Sequence, residues 1–75
     1  MQLQLFMTEH CHLCELAEAQ LNNIRPSLSW QKTEIAYDEA LVTRYGLSIP
    51  VLKRDDNQLE LHWPFTIEQI LQFIR

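Results

Sequence analysis

Cys11 and Cys14 are the only cysteines in the chain, and they stand three positions apart as Cys11-His12-Leu13-Cys14. Two thiols at this spacing can close a reversible intramolecular disulfide. The chemistry is strongest if the first of them sits where a helix begins. A helix N-terminus leaves backbone N–H groups without partners and carries about half a positive charge, and both favour a thiolate there. That thiolate can attack a disulfide, and the second thiol can resolve the resulting mixed disulfide by exchange. On this reading Cys11 attacks and Cys14, one turn inside the helix, resolves. The plainer alternative for each is a small buried side chain without reactivity, a common state of free cysteines. His10 and His12 flank Cys11 and are candidates for tuning it, because a protonated imidazole favours an adjacent anion. The alternative for either is a solvated surface histidine, and a protonated His12 in the first helical turn would oppose the macrodipole. Glu9 and Glu15 work against the thiolate wherever they approach it.

The same segment also reads as a donor set. His10, Cys11, His12 and Cys14 are ligand types suited to Zn²⁺ or Cu(I). Successive helical residues turn by about 100°, which carries His12 away from Cys11, so no metal ligand is assigned within one chain. Two chains contributing two thiolates each could still complete a tetrahedral site or hold an iron–sulfur cluster.

The flanking pattern supplies the strand, turn and helix that the dithiol needs. Residues 2–7 alternate, with Leu3, Leu5 and Met7 on one face, and predict a strand. From Leu13 the period becomes helical through Leu16, Ala17, Leu21 and Ile24, and Arg25-Pro26 ends it. Ser29 to Tyr37 predicts a second strand. Asp38 can cap a helix from Glu39 to Tyr45, with Gly46 in a left-handed C-terminal position. Pro50 to Arg54 and Gln58 to Trp63 predict two strands joined by the polar turn Asp55-Asp56-Asn57. Leu59, Leu61 and Trp63 then face one way; His62 lies on the polar side of an edge strand, without assigned chemistry. In the final helix Thr66 and Gln69 make a capping-box pair, Phe65 staples onto Ile70, and Ile67, Ile70, Leu71 and Ile74 form the apolar stripe. Trp30, Tyr37 and Tyr45 are expected to pack against sheet and helices. The order is β-α-β-α-β-β-α, an α/β fold with a four-stranded mixed sheet flanked by helices. Its first βαβ unit is a right-handed parallel crossover and its last two strands are an antiparallel hairpin.

Seventy-five residues with 47% hydrophobic content are expected to form a single domain spanning residues 1–75. Ten acids against six bases give a net charge of −4 with no basic cluster, which argues against nucleic acid or an anionic membrane as partner. No apolar run approaches the ~20 residues of a membrane span, and the N-terminus does not read as a signal peptide, so the expected location is cytoplasmic. In that compartment two close cysteines are more often catalytic or metal-binding than structural. Nothing in the sequence demands more than a monomer.

Cys11-His12-Leu13-Cys14-Glu15, then Arg44-Tyr45-Gly46-Leu47-Ser48-Ile49-Pro50-Val51-Leu52, then Trp63-Pro64-Phe65, together resemble the small bacterial glutaredoxin-like proteins of the thioredoxin superfamily. The resemblance covers essentially the whole length. It implies a thioredoxin/glutaredoxin-like fold, a cis peptide bond before Pro50, and a place for Pro50 against the cysteines. It also implies that the Ile49 backbone pairs with an extended substrate, so Ile49 and Pro50 are the expected substrate-binding residues. The stretch His62-Trp63-Pro64-Phe65-Thr66 holds bulk where glutaredoxins usually carry the Gly-Gly pair that binds glutathione. The usual Lys before the first cysteine is absent as well, and His12-Leu13 replaces Pro-Tyr. Glutathione is therefore not assigned, and no cofactor beyond the redox-active disulfide is expected. The implied function is glutaredoxin-like thiol–disulfide exchange with protein or low-molecular-weight thiols and disulfides. The competing readings are metal binding through the Cys-His segment and a non-catalytic thioredoxin-fold module. Trp63, Pro64 and Phe65 could rim a substrate groove, although closing the core and stapling the last helix account for Trp63 and Phe65 equally well.

Overall fold

The alternating segment Leu3–Met7 forms the first strand, β1, and the order expected from the sequence follows it. The computed structural model describes residues 1–75. After β1 come α1 (His12–Asn22), β2 (Trp30–Glu34), α2 (Glu39–Tyr45), β3 (Val51–Arg54), β4 (Glu60–His62) and α3 (Ile67–Phe73). The four strands make one mixed sheet in the order β2-β1-β3-β4. β1 runs parallel to β2, Leu3 beside Trp30 and Met7 beside Glu34, so α1 is the crossover of a βαβ unit. β3 is antiparallel to β1, Leu5 opposite Leu52 and Phe6 opposite Val51, and β4 closes the hairpin on β3. The peptide bonds before Pro26, Pro50 and Pro64 are all cis. No helix is long and apolar enough to cross a membrane.

β1 is buried on both faces. Leu3 and Leu5 join Ala17, Leu21, Ile24, Leu52, Phe65 and Ile70 in one core, beneath α1 and α3. Phe6 turns the other way and joins Ile35, Tyr45 and Val51 beneath α2. Its ring stacks on Tyr45 with centroids 4.3 Å apart. Helices thus cover both faces, and the two central strands carry apolar residues on each.

The buried face of α1 differs from the expected stripe. Cys14, Ala17 and Leu21 face the sheet, whereas Leu13 and Leu16 are 44% and 42% exposed. Small side chains at 14 and 17 let the helix lie close to the strands; two leucines there would hold it off. The α3 stripe is rotated similarly. Ile70 is buried with Phe73 and Ile74 packed beside it, while Ile67 and Leu71 lie at the surface. Tyr37, expected to pack, is 90% exposed. β2 ends at Glu34, and Tyr37 falls in the turn beyond it. Leu59 precedes β4 rather than belonging to it, and it too is exposed.

The local capping signals hold. Asp38 accepts from the N–H groups of Ala40 and Leu41 at the start of α2. Thr66 and Gln69 form the reciprocal capping box of α3. Phe65 and Ile70, which flank that cap, lie in one core cluster as a staple requires. Gly46 corrects the expectation of a left-handed cap: its φ of −54° and ψ of −31° are right-handed. Glycine is needed for a different reason, because a Cβ here would lie 2.5 Å from the Val42 carbonyl oxygen.

Two substitutions test these points by urea unfolding. Gly46→Asn, which a left-handed cap would tolerate, is expected to destabilise the fold by at least ~1 kcal/mol through this backbone clash. Thr66→Ala is expected to cost about 1 kcal/mol, and Thr66→Ser to restore most of it.

Candidate functional site

The turn Thr8-Glu9-His10 carries the chain from the end of β1 to the start of α1. His10 has φ 61°, a left-handed conformation that reverses the chain within this short span. A residue from the neighbouring strand holds the turn. The Glu34 carboxylate at the end of β2 accepts from the Glu9 N–H at 3.0 Å and from the Ala36 N–H at 3.0 Å. It therefore straps together the chain leaving β1 and the chain leaving β2. These hydrogen bonds hold the Glu34 carboxyl below its ordinary range: the Ala36 N–H contributes most, then the Thr8 side chain, against a smaller upward push from burial, with the Glu9 N–H adding to the lowering. Sequence reasoning missed Glu34, which lies 25 positions from Glu9 with no local signal to connect the two.

Cys11 is the N-cap residue of α1. Its Sγ accepts from the Cys14 N–H at 3.2 Å, and its carbonyl accepts from the Glu15 N–H at 3.1 Å. The two cysteines are joined in a disulfide, with their Cα atoms 5.2 Å apart. They differ in access. Cys11 is partly exposed, whereas Cys14 is buried with 1% of its surface accessible.

Pro50 and Ile49 lie at the same end of the sheet. Phe6 pairs with Val51, so Pro50 is level with Met7, where the chain turns toward Cys11. Pro50 is fully buried. The Ile49 N–H donates to the Tyr45 carbonyl at 3.0 Å, while the Ile49 carbonyl accepts no hydrogen bond. The Trp63 N–H donates to the Pro50 carbonyl, bringing Trp63 to this end as well. Trp63 packs against the core and meets Phe65 edge-on, with ring centroids 5.0 Å apart.

Both histidines beside Cys11 are exposed. His10 is exposed in its turn. The His12 side chain is 81% exposed and lies 4.0 Å from the Glu15 carboxylate. No group of three or more His, Cys, Asp and Glu side chains converges as a metal-holding cluster, so His10, Cys11, His12 and Cys14 are not drawn together.

A second polar cluster lies on α2 and the β4 edge. Glu60 accepts from the Tyr45 hydroxyl, from Arg44 at 3.2 Å, and pairs with His62 at 3.0 Å. Burial pushes the Glu60 carboxyl upward, but these three partners outweigh it and hold it below the ordinary range. Burial, followed by the hydrogen bond to Glu60, pushes the Tyr45 hydroxyl up. His62 is thus tied to its own strand rather than to the cysteines.

The family model described as Glutaredoxin-like domain (DUF836) matches residues 2–75. The chain belongs to this glutaredoxin-like family. Two solved structures are similar to it throughout. One is the X-ray structure of Northeast Structural Genomics target protein XcR50 from X. campestris, 33% identical with a TM-score of 0.85, covering 96% of this chain and 93% of that one. The other is the solution structure of the same target, 36% identical with a TM-score of 0.83, covering 99% of this chain and 92% of that one. No curated protein matches the sequence. The glutaredoxin-like fold and the Cys-x-x-Cys pair at disulfide distance are therefore established together.

The Glu34 strap gives this glutaredoxin-like domain a pH signature. Because its carboxyl is lowered in the fold, the strap's stabilisation is fully present above the ordinary glutamate range and is lost as the pH falls through the lowered value. In NMR titrations the Glu9 and Ala36 amide signals are expected to move together, with a common midpoint below that range. Glu34→Gln is expected to abolish the shared transition.

Proposed function

We propose that this domain is a thiol–disulfide oxidoreductase in which Cys11 attacks and Cys14 resolves. The observation that carries this reading is the asymmetry of the pair: an accessible Cys11 capping α1, disulfide-bonded to a buried Cys14. In the reduced protein the Cys11 thiolate attacks one sulfur of a substrate disulfide, and the other substrate sulfur leaves as a thiolate. The N–H groups at the start of α1 and the helix dipole favour the attacking anion. Cys14 then loses its proton to solvent and attacks the Cys11 Sγ, releasing the second substrate thiolate. The protein is left with the Cys11–Cys14 disulfide, and two electrons have passed to the substrate. An external thiol must restore the dithiol before another cycle. Because Cys14 lies behind Cys11, an incoming disulfide meets Cys11 first. The free Ile49 carbonyl, at the Pro50 end of the sheet, is the group offered to a substrate backbone N–H. Cytoplasmic residence, where thiols are kept reduced, suits such a cycle.

Redox titration in a dithiothreitol or glutathione series, read by alkylation and mass, is expected to give one two-electron transition between roughly −200 and −270 mV. Cys14→Ser is expected to accumulate the mixed disulfide, and Cys11→Ser to lose reduction of disulfides. Failure of an intramolecular disulfide to form at any poise would exclude the mechanism.

A further inference from the structure

The surface around Cys11 has a definite chemistry that disulfide exchange alone does not require. Leu13, inside the Cys-x-x-Cys segment, and Leu16, one turn later, are held out of the core and stay accessible. Leu47, in the loop leading to Pro50, is fully exposed. Apolar side chains therefore stand on the helix and on the loop that approach the disulfide end of the sheet.

The charge at this end is negative. Glu9 is exposed in the turn before Cys11. Glu15 follows Cys11 by four positions, on the same meridian of α1, and a helical side chain leans back over the preceding turn. Its carboxylate is 65% exposed and lies 4.0 Å from the His12 imidazole. No lysine or arginine pairs with these acids. Lys32, Arg44 and Arg54 are committed to Glu18, Glu60 and Asp56. Arg25 binds carbonyls at the far end of α1, Lys53 lies opposite Gln4 in the distant half of the sheet, and Arg75 follows the end of α3.

Resting on the exchange reaction above, we propose that the Cys11 site is selective for polypeptide cysteines flanked by an apolar and a basic residue. Leu13 and Leu47 take the apolar neighbour, and Glu9 and Glu15 take the base. An anionic thiol such as glutathione brings two carboxylates to a surface that has acids and no lysine or arginine paired with them. It is disfavoured by the same charges that attract a basic peptide. The reaction is unchanged: two electrons pass from the Cys11–Cys14 dithiol to the peptide disulfide, which leaves as two thiols.

The test uses the full chain, reduced with dithiothreitol and desalted, in single-turnover reactions quenched with acid and read by mass. The probes are three symmetric peptide disulfides that share a leucine beside cysteine and differ in one flanking residue: lysine, glutamine or glutamate. Oxidised glutathione is the fourth. Each rate is divided by that of dithiothreitol with the same probe, which removes differences in intrinsic reactivity. At low salt the lysine peptide is expected to react about tenfold faster than the glutamate peptide, with oxidised glutathione near the slow end. At high salt the ratio should shrink toward unity. The double variant Glu9→Gln, Glu15→Gln should lower the ratio at low salt, and Leu13→Ser should slow all three peptides without changing it. Equal normalised rates, a ratio insensitive to salt, or oxidised glutathione as the fastest probe would each overturn the selectivity while leaving the exchange reaction standing. If the folded dithiol reduces none of the probes, the neutral glutamine peptide included, the oxidoreductase reading itself is lost, and the selectivity with it.

Discussion

Leu5 opposite Leu52 and Phe6 opposite Val51 fix the register of the two central strands, and the disulfide end of the molecule is built on that pairing. Leu5 and Leu52 belong to the core beneath α1 and α3; Phe6 and Val51 belong to the core beneath α2. A slip of one residue would carry each set to the opposite face and out of the core it fills, so two independent cores specify the same register. The alignment leaves Pro50 level with Met7, at the point where the chain turns toward Cys11. Packing that is remote from sulfur chemistry thereby decides which loops lie at this end of the sheet.

A second constraint is the closeness of α1 to the sheet. Ala17 and Cys14 are small and fully buried, and Leu21 and Ile24 fill the space farther along. The resolving cysteine is thus also a packing residue, and the two roles are compatible because a small apolar side chain suits both. The same closeness turns Leu13 and Leu16 outward. An apolar surface beside Cys11 is a consequence of how α1 docks, independent of any requirement of exchange chemistry.

Much of this was readable from local signals. The alternation at Leu3, Leu5 and Met7, the Asp38 cap and the Thr66–Gln69 box each depend on residues within a few positions of one another, and each lies where expected. The Cys-x-x-Cys segment was legible for the same reason, since its strand, turn and helix are all local. Burial was less legible. Leu13, Leu16, Ile67 and Leu71 have helical spacing, but which apolar residues face inward depends on neighbours distant in sequence. Tyr37 lies outside because β2 ends at Glu34, and where a parallel ladder stops depends on its partner strand, which ends at Met7. A glycine after a helix signals a left-handed cap, but at Gly46 the close Val42 carbonyl demands the absent Cβ. The clamp on the Cys11 turn and the Tyr45–Glu60 contact are long-range polar pairs, which periodicity does not reveal.

The Tyr45–Glu60 cluster also bears on the charge of the site. Glu60 lies partly buried beside the Tyr45 ring, and a carboxylate withdrawn from water needs donors. Arg44 supplies one of them, on the helix whose next residue, Tyr45, hydrogen-bonds the loop ahead of Pro50. A guanidinium with its carboxylate partner in place offers much less to an incoming anion than a free one, because its charge is already compensated. The base on the helix that leads into the Pro50 loop is thereby spent on the fold, while Glu9 and Glu15 remain at the surface. The negative character of the Cys11 end follows from where the structure needs its bases as much as from where the sequence puts its acids.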